Sequence, residues 1–80
     1  MCAKAQHAPH YLSLPVLLRN LREEAGMTQR QLGAKLGKPQ SWVHNCEVAN
    51  RRVDVTEFIL WAKACRVDPV EAFERAMKMQ

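Results

Sequence analysis

Aromatic side chains are scarce in this chain, with one Tyr, two Trp and two Phe. Leu, Val and Ala supply the apolar content instead, which favours helix packed on helix. Cysteine is also sparse: Cys2, Cys46 and Cys65 are an odd count without paired spacing. Such a set describes neither a disulfide framework nor a zinc site. Cys46 and Cys65 sit in apolar helical patterns and read as small hydrophobes. No apolar run is long enough to span a bilayer, and the N-terminus lacks the run of a signal peptide. A reducing, cytoplasmic setting is therefore expected. There is no nucleophile–base pair, metal quartet or phosphate loop, and His44 and Cys46 point to different helix faces. Neither an enzyme nor a bound cofactor or metal is expected.

What is present suits one small domain. Eighty residues with 48% hydrophobic content can bury a core. The formal charge is +4 with a pI near 9.3. Residues 22–52 carry six basic and three acidic groups, whereas 53–80 carry four basic and five acidic. A basic front and a near-neutral back suggest a polyanion on one side.

Residues 1–12 lack periodicity and read as a flexible tail. His7, His10 and Cys2 there are too few and too loosely spaced for a metal clip, and Lys4 alone is thin support for a DNA-touching arm. The folded domain is expected over 13–80. Its first helix should open at Ser13 with Pro15 in the first turn. Leu14, Leu17, Leu18, Leu21 and Ala25 form one stripe, and Gly26 supplies a left-handed stop.

Thr28 and Gln31 then form a capping box, with Met27 and Leu32 as its staple. Leu32 and Leu36 face inward, and Gly33 between them implies close approach of another helix. Gly37 closes this second helix. Pro39 opens the third, leaving Lys38 as a poor N-cap whose amides a phosphate could satisfy. Val43 and Cys46 point inward with Glu47 beside them. Gln40, Ser41, His44 and Asn45 lie on the opposite face, with Trp42 on the shoulder. Asp54 and Glu57 box a fourth helix, with Val53 and Phe58 as staple and Phe58, Trp61, Ala62 and Cys65 as its inward stripe. Asp68, Pro69 and Glu71 open a fifth, where Val70, Phe73 and Met77 are expected to face the core. The reading is all-α: five helices with short connections.

Thr28-Gln29, Gln31-Leu32, Leu36-Gly37, Gln40-Ser41, Val43, Glu47 and Val67-Asp68-Pro69 together resemble the Cro and phage-repressor type of helix-turn-helix regulator, the XRE family. The resemblance runs from about Leu17 to Phe73. It implies a compact lambda-repressor-like domain in which the second and third helices form the helix-turn-helix. The third, about residues 39–47, would enter the major groove of double-stranded DNA. Gln40, Ser41, His44 and Asn45 would then read bases, Gln40 by a bidentate amide contact to adenine. Gln29, with helix amides beside it, would contact phosphate. Arg30, Lys38, Arg51 and Arg52 would add non-specific phosphate binding. Arg22 and Glu47 would pair beneath the motif and tie the first helix to the third.

The resemblance also implies a cytoplasmic transcription regulator of the repressor kind. It would bind as a homodimer through the fifth helix, where Phe73, Met77 and Met79 lie. The alternative from another class is a protein-interaction module of the same fold, an antitoxin or anti-repressor holding a protein partner. Three positions depart from the family pattern. Ala49 and Arg66 stand where glycine is usual, so Asn50 is expected to take the left-handed turn after Glu47. Cys46 is smaller than usual and leaves room for Trp42 or Trp61.

Overall fold

The computed structural model describes residues 9–79, with side chains over 13–79. Five helices follow in order: α1 (Pro9–Glu24), α2 (Gln29–Leu36), α3 (Gln40–Glu47), α4 (Val55–Ala64) and α5 (Pro69–Lys78). No strand occurs among the described residues. The all-α expectation holds, and all five predicted helices are found.

The core draws on every helix. Leu17, Leu18 and Leu21 of α1 meet Leu32 of α2, Val43 and Cys46 of α3, Phe58, Trp61 and Ala62 of α4, and Ala72 and Ala76 of α5. α2 packs chiefly on α3, α1 bridges α3 and α5, and α4 closes the far side against α2 and α5. Two aromatics, Trp61 and Trp42, pack together at the core. Trp61 is fully buried and its ring lies 6.1 Å from that of Trp42. The Trp61 indole donates to the Leu18 carbonyl at 3.0 Å. Burial pushes both core thiols up, Cys65 to about 11, so each stays a neutral packing group.

The first helix opens earlier than expected, at Pro9 rather than Ser13. Pro15 therefore sits inside α1, where it withholds one backbone donor. Pro15 is itself buried. Cys2, Lys4 and His7 lie outside the described residues.

The helix ends explain a second correction. Four of them close with the same bond, an amide donating to the carbonyl five residues back. These are Met27 to Arg22 at 3.2 Å, Lys38 to Gly33 at 2.8 Å, Asn50 to Asn45 at 2.9 Å and Val67 to Ala62 at 3.0 Å. That bond makes the residue before its donor left-handed. The positions are Gly26, Gly37, Ala49 and Arg66, with φ of 74°, 69°, 65° and 63°. Ala49 thus takes the turn assigned in advance to Asn50, because Asn50 supplies the closing amide. A side chain in this conformation costs about 1–2 kcal/mol. Arg66 is exposed, so Arg66→Gly is expected to relieve the strain and stabilise by about 1 kcal/mol. A thermal melt should then rise by about 4–8 °C.

The fifth helix holds a third correction. Val70, Phe73 and Met77 are 66%, 57% and 56% exposed, and Ala72 and Ala76 face the core instead. The helix carries two apolar stripes, and the smaller one packs. Alanines let α5 approach closely. On the surface beside this contact, Arg75 donates to both carboxylate oxygens of Glu24 on α1 at 2.9 and 2.7 Å.

Candidate nucleic-acid interface

The capping box of α2 forms as the sequence indicates. The Gln31 amide donates to the Thr28 hydroxyl at 3.1 Å and the Thr28 amide to Gln31 Oε1 at 2.9 Å. Met27 packs half-buried against the core. The reason for Gly33 differs from the expected one. A Cβ there would stand 2.6 Å from the Lys38 carbonyl oxygen and 3.5 Å from the Pro39 backbone. The close approach is to the turn joining α2 and α3, so the missing side chain sets how α3 leaves α2.

α3 begins one residue later than Pro39 itself. Pro39 is the N-cap, and no side chain bonds the first-turn amides. The Pro39 carbonyl accepts the Trp42 amide at 3.0 Å. Val43, Cys46 and Glu47 point into the protein, whereas Gln40, Ser41 and His44 are exposed and Asn45 is half-buried. The four residues singled out as base readers thus share one accessible polar surface.

Beneath that surface runs a continuous polar chain. Arg22 Nε donates to Glu47 Oε2 at 2.6 Å and Arg22 Nη2 to Glu47 Oε1 at 3.0 Å. The side chains of the two are only 10% and 2% exposed. Arg22 Nη1 also donates to the Met27 carbonyl at 2.8 Å, which ties the α1–α2 connection into the same group. Glu47 raises the Arg22 pKa above its usual value, chiefly through the hydrogen bond. Gln29 Nε2 donates to Glu47 Oε1 at 3.0 Å, and Gln40 Nε2 donates to Gln29 Oε1 at 2.6 Å. The core ion pair is therefore linked through α2 to the first residue of α3. Sequence reading assigned Gln29 to phosphate and did not join it to Gln40. The signal available was two amide side chains, each opening one of the paired helices.

The cations divide into two kinds. Arg30 and Arg52 are exposed. Lys38 Nζ lies 5.3 Å from the centre of the Trp42 ring, and the Arg51 guanidinium 5.0 Å from it. Arg51 also donates to both Glu57 oxygens at 3.0 and 3.1 Å and to the Arg52 carbonyl at 2.8 Å. Glu57 in turn is held below the usual carboxylate range by that guanidinium. Arg51 is thus committed to bracing the loop after α3, and Trp42 is the platform on which two cations rest. Neither role was read from sequence.

No set of His, Cys, Asp and Glu among the described residues could hold a metal. No helix among them is long and apolar enough to cross a membrane.

A family model described as a helix-turn-helix domain matches residues 14–74. A solved structure, "XRE-family like protein from Pseudomonas syringae pv. tomato str. DC3000", is 38% identical. That match covers 99% of this chain and 96% of that one, with a TM-score of 0.83. No curated protein gives a match. Fold, site geometry and both likenesses agree: the chain belongs to the XRE family of helix-turn-helix proteins and is a DNA-binding regulator.

Proposed function

We propose that the protein is a sequence-specific regulator of transcription that lays α3 in the major groove of double-stranded DNA. The observation that carries this is the exposed face of α3, whose first residue, Gln40, is already held in place by Gln29. A major groove admits a helix whose N-terminal side chains reach base edges. Gln40 would read adenine through its amide, Ser41 and Asn45 the neighbouring bases, and His44 a guanine edge or a phosphate. Gln29 keeps one amide hydrogen for a phosphate. Arg30, Lys38 and Arg52, with the amides at the α3 N-terminus, would hold the backbone. Arg51 would contribute mainly by shaping the loop.

One such motif touches too few base pairs to give a useful specificity ratio, so two copies on a two-fold site are needed. The exposed stripe of Val70, Phe73 and Met77 on α5 is the surface proposed for this homodimer, acting as a cytoplasmic repressor. The same stripe favours the second reading, a module of this fold that holds a different protein partner.

Selection of bound sites from random duplex DNA at fixed salt tests the first reading, and half-site spacing tests the dimer. Gln40→Ala is expected to relax preference at one position, at a cost of about 1–3 kcal/mol for the selected site. Arg52→Ala should weaken all sequences alike and make the salt slope shallower by about one unit. Binding that is unchanged by both at low salt would sink the DNA reading and leave the protein partner.

A further inference from the structure

We infer that Glu47, buried beneath α3 and pointing away from the exposed face, sets which base Gln40 reads. The inference rests on the major-groove reading above and adds a specificity-determining residue to it.

A glutamine amide is ambiguous, since it offers an acceptor on one side and a donor on the other. Left to rotate, it can suit more than one base edge. Glu47 removes the ambiguity in two steps. Its ionised carboxylate only accepts, and both oxygens already receive Arg22. Gln29, 3.0 Å from Oε1, can therefore present only its NH2 to Glu47. That leaves Gln29 Oε1 facing Gln40. An oxygen again only accepts, so Gln40 must turn its own NH2 towards it, at 2.6 Å. Gln40 is left with a carbonyl oxygen and one N–H, side by side and outward. Adenine offers the complement in the major groove, an N7 acceptor beside an N6 donor. Guanine offers two acceptors there, N7 and O6, and the Gln40 carbonyl would face one of them unpaired. The sign of a charge in the core is thus transmitted through two amides to the choice of base. Glu47 is a positioning residue and touches no DNA.

Competition binding to the site the parent protein selects tests this, with the base opposite Gln40 varied. The parent should prefer adenine there by about tenfold or more. Gln29→Met cuts the chain while filling similar space. It should reduce that preference to about threefold or less and leave discrimination at other positions intact, alongside a common loss on all sequences from the missing phosphate contact. Glu47→Gln should loosen the same position, because an amide at 47 can face Gln29 with either group. An unchanged preference in Gln29→Met overturns the inference. So does a loosened preference in Gln29→Met that a folded Glu47→Gln does not share, because Gln29 would then orient Gln40 unaided. If Glu47→Gln does not fold, the side-chain amide NMR signals of the parent decide the matter. Exchange-protected, fixed amide protons on Gln29 and Gln40 support the relay, and freely averaging ones overturn it. A parent protein that selects no sequence at all removes the DNA reading and this inference together.

Discussion

Arg22→Met is expected to lower folding stability by about 3–5 kcal/mol, the loss that follows when one member of a buried ion pair is removed. Glu47 then keeps a side chain that is 2% exposed, with Gln29 as its remaining side-chain donor. Its carboxylate would have given up hydration and two short charge-assisted bonds at once. The size of the effect comes from that stranded charge and only secondarily from the pair's own attraction. The double variant Arg22→Met with Glu47→Leu separates the two. Replacing both partners with apolar groups removes the stranded charge, and the bonds from Arg22 to the Met27 carbonyl and from Gln29 to Glu47 are lost in addition. The double variant should therefore fold within about 2 kcal/mol of the parent. Urea unfolding of parent, both single variants and the double variant gives the cycle. A single-variant loss below about 1 kcal/mol would mean that Glu47 finds water in the folded state, contrary to its burial.

Which features were legible in the sequence follows from whether the physics is local. Helix starts are local. Thr28 with Gln31 and Asp54 with Glu57 close reciprocal bonds three residues apart, and both boxes form. Gly26 and Gly37 mark left-handed ends for the same reason. The left-handed residue after α3 was misplaced because the closing bond, Asn50 to Asn45, constrains Ala49 whatever its side chain. Residue preference pointed to Asn50, and the hydrogen-bond count overruled it. α5 was misread because rotation about a helix axis is a tertiary property. Two apolar stripes were available, and packing against the rest of the core, in which Ala72 and Ala76 are the buried pair, selects between them.

The candidate site divides along the same line. The exposed face of Gln40, Ser41 and His44 follows from helical periodicity once Val43 and Cys46 are placed inward. The bonds from Glu47 to Gln29 and from Gln29 to Gln40 span 18 and 11 residues. They depend on how α2 and α3 cross, which no local pattern encodes. Gly33 controls that crossing, because only a missing Cβ lets the Lys38 carbonyl come so near. A residue that reads as weak helix former in sequence is, in three dimensions, what lets Gln29 reach Gln40.

Trp61→Ala is the other change expected to have a large effect, again about 3–5 kcal/mol, here through a cavity. Trp61 is the bulkiest side chain with no solvent exposure, and it spans from α4 to the α1 backbone through its indole N–H. Small helical domains have about 5–15 kcal/mol in all, so this variant should melt some 15 °C or more below the parent. Trp61→Phe keeps most of the volume and loses the donor to the Leu18 carbonyl. About 1–2 kcal/mol is expected for it. The functional consequence runs through Trp42. Its ring leans on Trp61 at a 39° tilt and carries Lys38 and Arg51 near its face. With the floor removed, the platform under those cations loosens, and with it the entry to α3 and the loop that leaves it. In Trp61→Phe, which should remain folded, Trp42 is the only tryptophan left, so its emission reports its own packing. A red shift together with weaker DNA binding at every sequence would show the platform acting on the phosphate contacts. An unshifted emission with parent-like binding would confine Trp61 to stability and leave Trp42 standing without it.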